Sequence, residues 1–166
     1  MELTEKFLFF SLNIIAIALP VALLEILLEK NTGWGSSFPK DKWYGKIIGI
    51  NNKYIALITK IVGIPYFFGY LIFMYFFIIP AMLILEYLFL IQNLFLLIAV
   101  YFAILATEDF LWFLLNWNFN SLTELLKGPD GSIWWHKKWI KIFKKTYIPR
   151  SYLISAILVI ILFILS

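Results

Sequence analysis

Four long apolar stretches, separated by two basic loops, are the strongest constraint on how this chain of 166 residues can fold. The apolar stretches cover residues 7–28, 64–85, 94–115 and 149–166. A helix needs about 20 residues to cross the core of a lipid bilayer, and the last stretch just reaches across it at about 1.5 Å per residue. The pattern predicts an all-α polytopic membrane protein with about four transmembrane helices, in a single membrane domain over residues 1–166.

The composition agrees with lipid as the solvent. The chain is 63% hydrophobic and 14% charged, whereas soluble chains are about 45–50% apolar and about 25% charged. There is no cysteine, which excludes disulfides and thiolate metal sites. The first apolar stretch is too long for a signal peptide, and no small-residue cleavage site follows it. We therefore expect it to be an uncleaved span.

The distribution of positive charge predicts a topology. Thirteen of the fourteen Lys and Arg residues lie within residues 29–60 and 116–150. Because translocating a cation is costly, the cytoplasmic loops of membrane proteins collect positive charge. We therefore expect the inner loops, 29–63 and 116–148, to be cytoplasmic and both termini to lie outside the cell membrane. The seven tryptophans lie in or beside these loops, as is typical of residues at the headgroup boundary.

Shorter signals predict the remaining elements. Residues 53–62 are expected to form an interfacial helix, and a few polar residues indicate a tight hairpin at 86–93. Pro80 is expected to stay inside the second span, since membrane helices tolerate proline. Residues 121–124 have the pattern of a capping box, which predicts the start of a short helix.

The second basic loop is predicted to contain an amphipathic basic helix at 132–146. At about 100° per residue, its lysines share one arc, whereas Trp139 and Phe143 lie opposite. His136 falls on the apolar side and is expected to face inward. Lysines on one arc favour contact with anionic inner-leaflet lipids. These lipid-surface lysines are Lys137, Lys138, Lys141, Lys144 and Lys145.

The third span contains two adjacent carboxylates, Glu108 and Asp109. Carboxylates at such a depth are costly and usually face protein or water rather than lipid. Other polar residues approach the same inner boundary from other segments, so we expect them to converge there. The residues expected to bind a ligand in this layer are Glu25, Lys60, Asp109 and Asn116, with Glu108 and His136 beside them.

The chemistry of this layer has three interpretations. Glu108, Asp109 and His136 are the candidate metal ligands, because two carboxylates and one histidine suit a hard or borderline metal such as Zn, Mn or Fe. The same three residues are the candidate catalytic residues of acid–base chemistry. The third interpretation is an ion-pair network that fixes helix packing. Residue spacing alone does not distinguish these three interpretations. The sequence therefore predicts neither a particular cofactor nor whether the protein is an enzyme.

The leading functional hypothesis is a small integral membrane protein with a polar site at the inner leaflet. That site would bind a lipid-like or ionic ligand, or dock a partner subunit. The alternatives are a small metal- or acid/base-dependent membrane enzyme and an ion or proton conduit. No dinucleotide fingerprint, P-loop or nucleophile elbow is present. The expected partners are the lipid bilayer and either another membrane protein or a second copy of the chain, and no nucleic acid.

Overall fold

Helices make up most of the molecule. The computed structural model describes residues 2–48, 52–90, 92–118 and 121–166. The helices within these ranges are α1 Leu3–Glu29, α2 Lys53–Val62, α3 Gly69–Phe89, α4 Leu94–Leu115, α5 Ser121–Leu126 and α6 Arg150–Leu165. The strands are β1 Ile47–Ile48, β2 Phe67–Phe68, β3 Trp139–Phe143 and β4 Thr146–Pro149.

Three helices, α1, α3 and α4, are long and apolar enough to cross a membrane, and α6 is an apolar helix of 16 residues. The predicted bounds of the third stretch, 94–115, are those of α4. The first stretch, predicted at 7–28, extends by a few residues at its start and by one at its end. α4 is the central helix, because α1 and α6 both pack along it.

The ends of four helices meet at one end of the molecule. The Asn116 side-chain amide at the end of α4 donates to the carbonyl oxygen of Lys30 at the end of α1, at 2.7 Å. The Tyr70 hydroxyl at the start of α3 donates to the carboxylate of Glu29. α6 begins at the same end, where Tyr152 contacts α4. Both basic loops therefore lie at one end.

The prediction that the second span begins at residue 64 was wrong. Residues 64–66 are irregular, β2 follows, and the helix begins only at Gly69. β2 pairs antiparallel with β1, with Ile47 opposite Phe68. An apolar run alone does not distinguish a helix from a strand. Here the pairing with β1, a distant segment, makes residues 67–68 a strand rather than the start of the helix. α2 is helical as predicted, and the Asn52 side chain caps its first turn.

Pro80 lies inside α3, as predicted, and its effect is local. Residues Met74–Ile78 form a π-helical turn that ends two residues before it. Proline lacks an N–H and its ring clashes with the carbonyl four residues earlier, so the preceding turn widens. Single π-turns of this kind often occur at functional sites. Tyr75, which lies in this turn, is one of the side chains that reach α4.

The predicted hairpin at 86–93 is shorter than expected, because the helix α3 continues through Glu86 to Phe89 before the connection to α4. α3 ends at Phe89, and the Asn93 side chain caps α4 by accepting from the N–H of Leu96 at 3.0 Å. The Asn93 amide also donates to the carbonyl oxygen of Ser166 at 2.7 Å. α6 therefore runs beside α4 from Asp109 to Asn93 and ends beside this connection.

The prediction of a basic helix at 132–146 was wrong. Residues 133–138 have no regular structure, and β3 and β4 form an antiparallel hairpin that turns at Lys144–Lys145. The segment is rich in aromatic and β-branched residues, which favour strands, and Lys141 pairs with Tyr147. The five lysines Lys137, Lys138, Lys141, Lys144 and Lys145 are exposed along this segment, although they do not share one helical arc.

The short helix α5 begins at Ser121, as predicted, but the side chains of Ser121 and Glu124 form hydrogen bonds with residues outside the helix. The Ser121 hydroxyl donates to the carbonyl oxygen of Phe113 at the end of α4. Glu124 accepts from the N–H of Ser132 at 2.9 Å and from the amine of Lys127. The hydrogen bond from Lys127 holds the pKa of Glu124 below its ordinary value. These contacts close the turn that follows α5.

Candidate functional site

Glu108 and Asp109, adjacent in α4, lie on different sides of the helix. Successive residues of a helix are rotated by about 100°, so Glu108 contacts side chains of α1 and α3, whereas Asp109 contacts α6. Glu108 is fully buried and Asp109 is half-buried. The two carboxylates therefore belong to two separate polar clusters.

The first group, which we call the acidic cluster, consists of Glu25, Tyr75 and Glu108. The Tyr75 hydroxyl donates to Glu108 Oε2 at 3.0 Å, and the Glu25 side chain lies within hydrogen-bonding range of Glu108. Glu25 Oε1 and Glu108 Oε1 are buried and have no hydrogen-bond partner within the described part of the chain. Two ionised carboxylates in contact repel each other, so this contact is stable only if one of them carries a proton.

Glu29 is a buried carboxylate that was not predicted from the sequence. It is 2% exposed, and it accepts hydrogen bonds from the Tyr70 hydroxyl and, at 2.6 Å, from the N–H of Gly35. The available signal was its spacing, since residues four apart share a helix face and Glu29 follows Glu25 by four. Its hydrogen-bond partners come from distant segments, which periodicity does not reveal.

A left-handed turn at 33–35 positions the indole of Trp34. Gly33, Trp34 and Gly35 have φ angles of 59°, 51° and 62°, a conformation that glycine adopts without steric cost. A Cβ on Gly33 would lie 2.3 Å from the ring of Trp135. The turn directs Trp34 inward, where its Nε1 donates to the carbonyl oxygen of Tyr66 at 2.8 Å.

The second group, which we call the histidine cluster, consists of Asp109, His136 and Tyr152. The Tyr152 hydroxyl donates to Asp109 Oδ2 at 2.6 Å. His136 Nε2 lies 3.2 Å from the same oxygen, close enough for an ion pair but not aligned as a hydrogen bond. The predicted proximity of Asp109 and His136 is therefore present, although an irregular segment rather than a helix carries His136.

His136 is 5% exposed and lies among aromatic rings. Its ring centroid is 5.6 Å from that of Trp139 and 6.0 Å from that of Tyr152. The rings of Phe113 and Trp135 lie at 5.9 Å and 6.3 Å. The aromatic residues enclose the imidazole on several sides.

A cavity of about 330 Å³ adjoins the histidine cluster. It lies among α2, α3, α4 and α6, and most of its wall is aliphatic or aromatic. Its polar groups include the hydroxyls of Ser151 and Ser155 on α6 together with Asp109 and His136. A second cavity, about 280 Å³, lies between the far halves of α3 and α4, and none of the described residues that line it is charged. The first cavity therefore combines apolar volume with polar chemistry.

Two of the residues predicted to bind a ligand lie outside both clusters. Lys60 is exposed on α2 and forms no salt bridge with the residues that the structure describes. Asn116 joins the ends of α1 and α4 through Lys30, and its side-chain oxygen accepts from the N–H of Asn118 at 2.9 Å. Asn116 therefore has a structural role at the helix ends.

The geometry does not support a metal site. Within the described residues, no group of three or more His, Cys, Asp or Glu side chains is placed to bind a metal ion. The reason lies in α4: Glu108 points to the acidic cluster, whereas Asp109 and His136 point to the cavity. The three candidate ligands therefore do not face one point.

Comparisons with protein-family models, with curated proteins and with solved structures give no significant match to this chain.

The acidic cluster predicts how α4 responds to substitution. Glu108→Gln should preserve stability or increase it, because an amide can donate to Glu25 and accept from Tyr75. Glu108→Ala should lower the free energy of unfolding by about 1–3 kcal/mol, because it leaves buried polar groups without partners. Denaturant unfolding in detergent micelles measures both effects.

The matched control is Leu114→Ala, which shortens an exposed side chain on the same helix and should have little effect. If Glu108→Gln destabilised the protein as much as Glu108→Ala, the carboxyl contact with Glu25 would not exist as described.

Proposed function

We propose that this chain is an integral membrane protein with four spans, α1, α3, α4 and α6. The length and composition of the first three support this. The fourth, α6, is about 24 Å long at about 1.5 Å per residue. Its end contacts Asn93 at the far end of α4, which supports the proposal that α6 reaches the same depth in the membrane as that end of α4. Long apolar side chains are exposed along these helices, as expected for surfaces in contact with lipid.

The end that bears the two basic loops is proposed to face the cytoplasm. Thirteen of the fourteen basic residues lie within these loops or at the helix ends beside them, and cytoplasmic loops collect positive charge. The exposed lysines of the β3–β4 hairpin, with Phe143 at 72% exposure beside them, are suited to an anionic membrane surface. Each lysine near such a surface contributes about 1 kcal/mol.

Cysteine labelling tests this topology, and the absence of native cysteine makes the result unambiguous. Single cysteines at Ser37 and Lys144, both exposed in the loops, should be shielded from an impermeant thiol reagent in intact cells. A cysteine at Leu90, in the opposite connection and 72% exposed, should react. All three should react after permeabilisation. Reaction at Ser37 with protection of Leu90 would reverse the orientation.

Within this frame, we propose that the protein binds a single-chain, lipid-like ligand. The observation that carries the proposal is the cavity of about 330 Å³, whose wall is mostly apolar and which includes Asp109 and His136. Small-molecule sites are typically mostly apolar, with a few polar groups that orient the ligand. The volume is at the lower end of the usual range of about 300–1,000 Å³, so it suits one chain rather than two.

The location of the cavity also supports a ligand that arrives through lipid. Most of its wall comes from α3, α4 and α6, which are proposed to span the membrane, and the histidine cluster lies toward the end that bears the basic loops. An amphiphile would therefore place its chain among the apolar side chains and its polar head beside Asp109 and His136. The head would then lie near the inner boundary, where amphiphile heads reside.

A pair of substitutions in α6 tests occupancy. Ser155 lines the cavity, whereas Ala156 is exposed and does not. Ser155→Phe should fill the cavity and weaken labelling by a photoreactive dodecanol by at least about tenfold, a change of about 1.4 kcal/mol in binding. Ala156→Phe adds the same ring to the lipid-facing side and should leave labelling unchanged. Equal labelling of both variants would mean that the ligand does not enter this cavity.

Acid–base catalysis on a bound amphiphile is the second candidate function. The observation that favours it is the distance of 3.2 Å between His136 and Asp109 at the cavity wall, since histidine and carboxylate side chains are common general acids and bases. Glu108 belongs to the other cluster and is not expected to take part. Conversion of a bound amphiphile to product, lost in Asp109→Asn, would distinguish catalysis from binding.

A further inference from the structure

We infer that the ligand of this cavity carries a protonated amine as its head. The inference rests on the proposed lipid-binding function and specifies the chemical class of the ligand. It follows from the charges around the cavity and from the hydrogen-bonding capacity of its polar groups.

The cavity wall contains a fixed anion and no fixed cation. Among the described residues, the eighteen that line it include one carboxylate, Asp109, and one histidine, His136, but no Lys or Arg. A phosphate or carboxylate head would therefore lie beside Asp109 with only His136 to balance two negative charges. Like charges repel strongly where the effective dielectric constant is low, so the wall disfavours an anionic head.

The surroundings behind the wall reinforce this preference. Glu25, Glu29 and Glu108 are buried on the other side of α4, and none of the three forms a salt bridge with a Lys or Arg within the described residues. These three carboxyls therefore supply no positive charge that an anionic head could use.

The neighbouring basic residues face elsewhere. Arg150, next to the cavity residue Ser151, donates from its guanidinium to the carbonyl oxygen of Ile61 at 2.6 Å. Lys138 is exposed and packs its side chain against Gly63. Neither lines the cavity. A cationic head thus meets no fixed cation at the wall.

The hydrogen-bonding groups of the wall also match an ammonium. An ammonium offers three N–H donors, and a carboxylate can accept about four hydrogen bonds. Asp109 accepts one from Tyr152, which leaves capacity for the ligand. The hydroxyls of Ser151 and Ser155 lie on the same wall and can accept further bonds. The aromatic rings of the wall add cation–π attraction for a cation.

The test compares three heads on one chain. Photoreactive dodecylamine, dodecanol and dodecyl phosphate, each with the reactive group on the chain, are introduced at equal mole fraction into nanodiscs of neutral phosphatidylcholine that contain the wild-type protein. Mass spectrometry then locates the labelled residues. Dodecylamine should label the cavity residues at a mole fraction at least about tenfold lower than dodecyl phosphate, with dodecanol between them.

Asp109→Asn removes the fixed charge and nearly preserves side-chain size. It should reduce amine labelling to the level of the alcohol while alcohol labelling stays within about twofold. Glu86→Gln, at the far end of α3, is the matched carboxylate control and should change neither. If Asp109→Asn fails to fold, the comparison of the three heads on the wild-type protein remains decisive by itself.

The outcomes separate this inference from the function on which it rests. Strongest cavity labelling by dodecylamine supports both. Equal or stronger cavity labelling by dodecyl phosphate or dodecanol overturns the amine head but leaves lipid binding intact. If none of the three labels the cavity residues, or if Ser155→Phe leaves cavity labelling unchanged, the proposed lipid binding fails as well.

Discussion

The cost of placing two carboxylates, one fully buried and one half-buried, in an otherwise apolar helix determines the arrangement of the rest of this molecule. Glu108 and Asp109 are adjacent in α4, and a buried carboxylate requires polar partners. Because the two side chains point in different directions, their partners come from opposite sides: Glu25 and Tyr75 from α1 and α3, and Tyr152 from α6. One helix therefore joins the others through hydrogen bonds. In the proposed membrane setting, packing and hydrogen bonds of this kind hold the helices together, because the hydrophobic effect does not drive helices together in lipid.

The segments outside the long helices complete this arrangement at one end. The left-handed turn at 33–35 brings Gly35 against Glu29 and directs Trp34 inward. The irregular segment before β3 places His136 beside Asp109, enclosed by aromatic rings. These segments cover the polar end of the bundle and leave a cavity at the histidine cluster. The proposed ligand site is thus formed between the helices and the connections that cover them.

Much of this could be predicted from the amino-acid sequence, for identifiable reasons. The bounds of α4 follow from polar residues at both ends of an apolar run, and the approach of Asp109 to His136 follows from the cost of an unpartnered carboxylate. The β3–β4 hairpin was not predicted. The spacing of the lysines along the chain puts them on one arc of a helical wheel, and this spacing is the same whether the segment forms a helix or strands. The start of α3 and the role of Glu29 depend on partners such as Phe68 and Tyr70, which pair across long distances in the chain. Such pairing leaves no local pattern.

The central claim is that Asp109 on α4 is bound by Tyr152 on α6, with His136 at the same oxygen. A double-mutant cycle measures this interaction most directly. Unfolding free energies of the wild type, Asp109→Asn, Tyr152→Phe and the double variant would be compared in micelles of one detergent. We predict a coupling energy of about 1 kcal/mol or more, since hydrogen bonds to charged groups contribute about 1.5–3 kcal/mol. Additive effects of the two substitutions would contradict the claim.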